Sequence, residues 1–140
     1  SYNGKATIRS WSLKTEILAY PATPYYVTTS NSSHISLSGI NKVNSVTISV
    51  TTPTNTSIKA FVSFDCILNW KYYSGGTWQI ASGGLSDLQT TGNTTTEIQA
   101  GLTNLTITTE TSLNFAFSLR TTDSAVTPEI DAIAVVPTSQ

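Results

Sequence analysis

An antiparallel all-β domain is predicted for this chain, in the form of a jelly-roll-like β-sandwich of about 8–10 strands. Three observations predict it. Short segments alternate apolar and polar residues, the period of a half-buried strand. Gly, Pro and Asn clusters break those segments at frequent intervals, as turns do. Ser and Thr make up about a third of the chain, and Thr favours strands. No internal repeat or linker divides the 140 residues, so residues 1–140 are read as one domain, long enough to bury a core without staples.

The elements follow in chain order. Residues 7–11 and 15–19 are candidate opening strands, with 25–29 after Pro21 and Pro24. Asn31-Ser32-Ser33 is a turn, followed by a strand over 34–38 and a break at Gly39. Residues 45–51 alternate cleanly, with Val46, Ile48 and Val50 on one face. The next strand puts Ile58, Ala60, Val62 and Phe64 on one side and Lys59, Ser63 and Asp65 on the other, with Phe61 as an exception. After a bend near Asp65, a strand is expected over 67–73. Ser74-Gly75-Gly76 is a tight hairpin signal, and 77–81 returns. Residues 82–96 are polar, with one helical turn at 85–88 capped by Ser82 or Ser86. Residues 98–105 fit no single pattern. Leu113, Phe115, Phe117 and Leu119 alternate most strongly, with Asn114, Ser118 and Arg120 expected outward. Residues 129–136 are apolar on nearly every position except Asp131, which predicts a central strand. The whole reading stands on two sheets closing over Val46, Ile48, Val62, Phe64, Phe115 and Phe117.

Charge narrows the functional classes. Charged residues are 11% of the chain and the net charge is -1, against roughly 25% charged in ordinary domains. Nucleic acid needs a basic footprint, and a polybasic membrane surface needs one too. No signal peptide, lipidation motif or apolar stretch approaching ~20 residues is visible, so no membrane insertion is expected. Cys66 is the one cysteine. It permits no intramolecular disulfide and no Cys-based zinc site, and its apolar run predicts a buried, inert thiol.

The segment 58–136 carries a more specific pattern. Ser63-Phe64-Asp65 is followed by Asn69-Trp70-Lys71-Tyr72-Tyr73 and Gly75-Gly76-Thr77-Trp78. Later come Pro128 and Ile130-Asp131-Ala132-Ile133. This order resembles modules in tail and appendage proteins of phages infecting Gram-positive bacteria. Those modules have a similar aromatic hairpin and closing strand. The resemblance implies a location, on a virion or surface appendage, more than a chemistry. One departure stands out: Cys66-Ile67-Leu68 replaces the glycine-rich turn usual after the first element, which puts in doubt any site built there.

No catalytic constellation emerges, and the chain is read as a non-enzyme. The eight carboxylates are scattered, whereas glycoside hydrolysis needs two across a cleft. His34 is the one histidine, and it has no nucleophile elbow to serve. No cofactor or metal is expected; a calcium site on Asp65 or Asp131 with backbone carbonyls stays open. Four Asn-x-Ser/Thr sequences, at Asn31, Asn55, Asn93 and Asn104, are chance matches in so polar a chain.

The aromatic hairpin is the sharpest local feature. Trp70, Tyr72, Tyr73 and Trp78 flank its turn. Cross-strand aromatic pairs stabilise hairpins. The same rings also stack on the C–H faces of sugars. These four residues and Asp65 are the glycan-binding candidates. The expected function is a structural or adhesion module of a phage appendage or virion surface, with host glycans as candidate ligands. Expected partners are copies of itself, other virion or fibre proteins, and cell-surface polysaccharide. A carbohydrate-binding module of a secreted protein stays open, as does a subunit of an extracellular filament or a capsid decoration protein.

Overall fold

The computed structural model describes residues 9–12, 25–28, 34–123 and 125–139. Nine strands lie among them: β1 (Arg9–Ser12), β2 (Tyr25–Thr28), β3 (Ile35–Ser36), β4 (Ile40–Thr51), β5 (Thr56–Ser63), β6 (Lys71–Ser74), β7 (Thr77–Ile80), β8 (Ser112–Thr121) and β9 (Glu129–Ser139). A 3-10 turn, Gly84–Asp87, leads into α1 (Leu88–Thr91), and α2 spans Thr95–Asn104. Every ladder is antiparallel. One sheet has the order β1-β9-β4; the other runs β2-β8-β5-β6-β7, with β3 also on β8. The antiparallel all-β class is the one expected. The predicted strand at 15–19 lies outside the described residues.

The two sheets share one apolar cluster, which joins Val46 and Ile48 of β4, Ile133 and Val135 of β9, Val62 of β5, and Phe115 and Phe117 of β8. The six side chains on which the sequence reading stands are all buried. Each large apolar side chain so buried contributes about 1.5–3 kcal/mol. Phe115 and Phe117 project to the same side of β8 and stack with centroids 5.8 Å apart.

The opposite face of β5 and β8 is covered too. Phe61 and Ala116 join Ala81 and Leu88 in a second cluster, flanked by Trp70, Tyr72 and Leu85. This corrects two expectations. Phe61 is no exception, because its face is also a core. Asn114 and Ser118, expected outward, are fully buried. β8 lies inside its sheet and is packed on both sides, so its polar residues are buried among neighbours. The Ser118 hydroxyl donates to Gln89 Oε1 at 2.5 Å.

β9 is central, as its composition predicts. β4 begins five residues before the expected start. Register shifts fall between Ile40 and Lys42 and between Val43 and Ser45, so Ile40, Val43 and Val46 are buried at a spacing of three rather than two. α2 occupies the stretch that fitted no pattern. Its start is a capping box: the Thr94 hydroxyl accepts from the Glu97 N–H, and the Glu97 carboxylate accepts from the Thr94 N–H. Ile98, Gly101 and Leu102 face inward. The expected helical turn at 85–88 exists as the 3-10 turn, with no side-chain cap from Ser82 or Ser86.

Candidate functional site

The expected strand over 67–73 is a turn followed by the shorter β6. That turn is the most unusual backbone in the described chain. Cys66 (φ 57) and Ile67 (φ 61) both hold left-handed backbone, and the Leu68 N–H donates to the Asp65 carbonyl at 3.3 Å. Two consecutive residues at positive φ define the hairpin-type turn that Gly, Asn and Asp normally fill. For residues with a Cβ, left-handed backbone costs about 1–2 kcal/mol each, and a β-branched residue there is an outlier.

The surroundings hold this turn in place. The Cys66 N–H donates to Ser112 Oγ at 2.8 Å and the Ile67 N–H to Ser63 Oγ at 3.0 Å. The Asn69 N–H donates to Asp65 Oδ1 at 3.0 Å and its side-chain amide to Oδ2 at 2.8 Å. The Ser63 hydroxyl donates to Asp65 Oδ1 at 2.8 Å. Both serines are fully buried. The Phe64 carbonyl accepts from the Thr111 N–H at 3.0 Å, so the root of the turn is tied to the start of β8. Every amide from Cys66 to Asn69 therefore has a partner.

Asp65 is the hub of this arrangement. Partial burial pushes its carboxyl upward, but the hydrogen bonds from Asn69 and Ser63 and the charge of Lys71 together outweigh that and hold it below the usual value. Its oxygens serve the turn. Asp131, the other calcium candidate, is exposed on β9 and accepts from Thr51 Oγ1 at 3.3 Å. Among the described residues, no three His, Cys, Asp or Glu side chains gather where they could hold a metal ion. His34 is exposed just before β3.

The turn lifts apolar side chains into water. Leu68 is 81% exposed and Ile67 39%. Cys66 is half-buried rather than buried, because it stands on the turn and not in a strand.

The aromatic hairpin follows directly. Gly75 (φ 61) and Gly76 (φ 83) make its turn in the same left-handed region. Alternation splits the four candidate rings two and two. Tyr73 and Trp78 pair across the strands with centroids 5.1 Å apart, and Trp78 meets Phe64 edge-on at 5.2 Å. Gly101 of α2 lies behind them; a Cβ there would come within 2.6 Å of Tyr73 Cγ. The Trp78 indole N–H is buried without a hydrogen-bond partner. Trp70 and Tyr72 lie on the other face, over the second cluster. All four rings are half-buried, and no single plane carries them. Asp65 is hydrogen-bonded to Ser63 and Asn69 and to none of the four rings; Trp70 follows Asn69 in the chain, and with Tyr72 it packs beside the second cluster.

Asn93 explains why the hairpin stands apart from its sheet. β6 meets β5 at one pair, Val62 with Lys71. Two residues further along, Ala60 and Tyr73 are separated by Asn93. Its backbone exchanges two bonds with Ala60, at 2.7 and 2.9 Å. Its side-chain amide does the same for Tyr73, accepting from the N–H at 2.6 Å and donating to the carbonyl at 2.8 Å. One residue thus bridges two strands, with main chain on one side and side chain on the other. Sequence reasoning saw Asn93 only as a chance glycosylation match. The lack of glycine at Cys66-Ile67-Leu68 puts in doubt a site built there; the structure has a left-handed turn at that place all the same, with Leu68 exposed.

A groove of about 320 Å³ opens between the end of β4 and the start of β5, lined by Val50, Thr52, Ile58, Lys59, Thr94 and Thr95. Compared with known proteins, the chain matches no family model, no curated protein and no solved structure.

Proposed function

We propose that this chain is a non-enzymatic adhesion and structural module of a phage appendage or virion surface, framed by a jelly-roll-like β-sandwich. The observation that carries the reading is the 65–68 turn. Two non-glycine residues hold left-handed backbone there, and the next residue, Leu68, points into water. Strain persists where surrounding structure over-determines it, and it clusters where a protein meets its ligand. A rigid, displayed apolar tip loses little freedom on contact, which favours binding. The low charge of the chain and its resemblance to appendage modules support the location. The apolar cluster common to both sheets supports the sandwich frame.

Host-surface glycan is the ligand class that this region suits. Trp70 and Tyr72 are half-buried a few residues past the turn, and the intervening Asn69 donates its side-chain amide to Asp65. Ring faces stack on sugars while amides bond their hydroxyls. The test is a pull-down on cell-wall polysaccharide, backed by a glycan array. Binding is expected, with a loss of about tenfold or more in Trp70→Ala and Leu68→Ser. Absence of binding by the wild type, or binding in both variants as strong as the wild type's, overturns the glycan assignment.

A further inference from the structure

We infer that β7 is a self-pairing edge, through which two copies of this chain join their larger sheets across a two-fold axis. Among the described residues, the free edges of β4 and β5 are closed by side chains and loops. At β4, the Ile48 N–H is taken by Gln99 Oε1 at 2.6 Å, and Ile107 donates to the Asn41 carbonyl at 2.9 Å. At β5, Asn93 occupies Ala60.

β7 ends its sheet. Tyr73 directs its N–H and carbonyl to Asn93, away from β7. Its cross-strand partner Trp78, and Ile80 two residues on, therefore direct theirs away from β6. Among the described residues nothing bonds those four groups. Thr77, Gln79 and Ile80 are exposed, Ile80 by 57%. Natural edges are usually guarded by Lys, Pro or a bulge; Thr77-Trp78-Gln79-Ile80 has none of them.

The edge is also complementary to itself. Centred on Gln79, an antiparallel copy sets Trp78 opposite the partner's Ile80 and Ile80 opposite the partner's Trp78. Both pairs exchange two main-chain bonds. The exposed Ile80 then packs beside an indole, a favourable aromatic and β-branched pair. Gln79 faces Gln79 of the partner subunit, and an amide both donates and accepts, so it can pair with its own kind. No charge is opposed. The contact is short, so association is weak and appears at high protein concentration. It does not depend on what the 65–68 turn binds.

Sedimentation velocity across a concentration series, up to millimolar, tests this. The wild type is expected to move from one chain toward two. Gln79→Glu and Gln79→Lys each place like charges opposite one another and are expected to stay monomeric with unchanged circular dichroism. An equimolar mixture of the two is expected to recover association. A wild type that stays monomeric at every concentration overturns the inference. So does association that survives both substitutions, or a mixture that fails to associate. Glycan binding by a monomer leaves the adhesion reading standing while this one falls.

Discussion

Two turns a few residues apart share one backbone shape and differ in everything else. Gly75-Gly76 reaches positive φ with residues made for it, and its side is open, since a Cβ at either would meet nothing within 4 Å. Cys66-Ile67 reaches the same region against the preference of both residues. The first turn needs no support beyond its own ladder. The second is held by Ser63, Asp65 and Ser112. The glycine turn closes a hairpin; the strained turn displays side chains. The difference teaches where this molecule invests stability in geometry.

The comparison can be broken most severely at Asp65. Asp65→Ala removes the acceptor for Ser63 and for both Asn69 donors. Loss of about 2–3 kcal/mol is expected in urea denaturation, and glycan binding should fall with it. No loss would mean the turn stands without its hub.

Gly75→Ala comes next. It imposes on the relaxed turn the penalty the other already carries. A cost of about 1–2 kcal/mol is expected from the left-handed backbone alone, read as a lower thermal midpoint.

The reverse exchange sharpens the contrast. Cys66→Gly keeps Ile67 and Leu68 but relieves one strained position. A gain of about 1 kcal/mol is expected, reduced by the freedom glycine adds to the unfolded chain. The same substitution should loosen the tip and weaken binding. A stability loss would show that no strain is stored there.

Acid gives the smallest effect. The Asp65 carboxyl is held low in the folded state, so the unfolded chain takes up its proton first as pH falls. Its contribution is complete above the ordinary aspartate value and fades as pH drops through the lowered folded one. Asp65→Asn should lack that part of the acid limb in stability measured against pH.

Much of the frame was legible. β5 and β8 alternate along their length, and the faces they predict are the faces buried. The reading stopped at one sheet surface, however. Nothing local to Asn114 or Ser118 announces that Leu88 and Phe61 cover their side. The first residues of β4 were missed because bulges turn a period of two into a spacing of three. α2 was missed because Thr and Gly dilute its apolar stripe, although its capping box, Thr94 with Glu97, stood in the sequence. At the site, the aromatic hairpin was legible and its division between two faces followed from alternation. The 65–68 turn was not. Residue preference argues against left-handed Cys and Ile, and the serine that holds Cys66 comes from β8, far along the chain. The Asn93 bridge was equally hidden, since a side chain standing in for a strand leaves no periodic mark.

The backbone at Cys66 and Ile67 is where the account is most exposed. Positive φ brings each amide proton close to its own Hα, so intraresidue HN–Hα cross-peaks in a short-mixing NOESY spectrum report it directly. The account predicts peaks at Cys66 and Ile67 as strong as the strongest from Gly75 and Gly76, weakening in Asp65→Ala. Peaks no stronger than those of the flanking strand residues would contradict it.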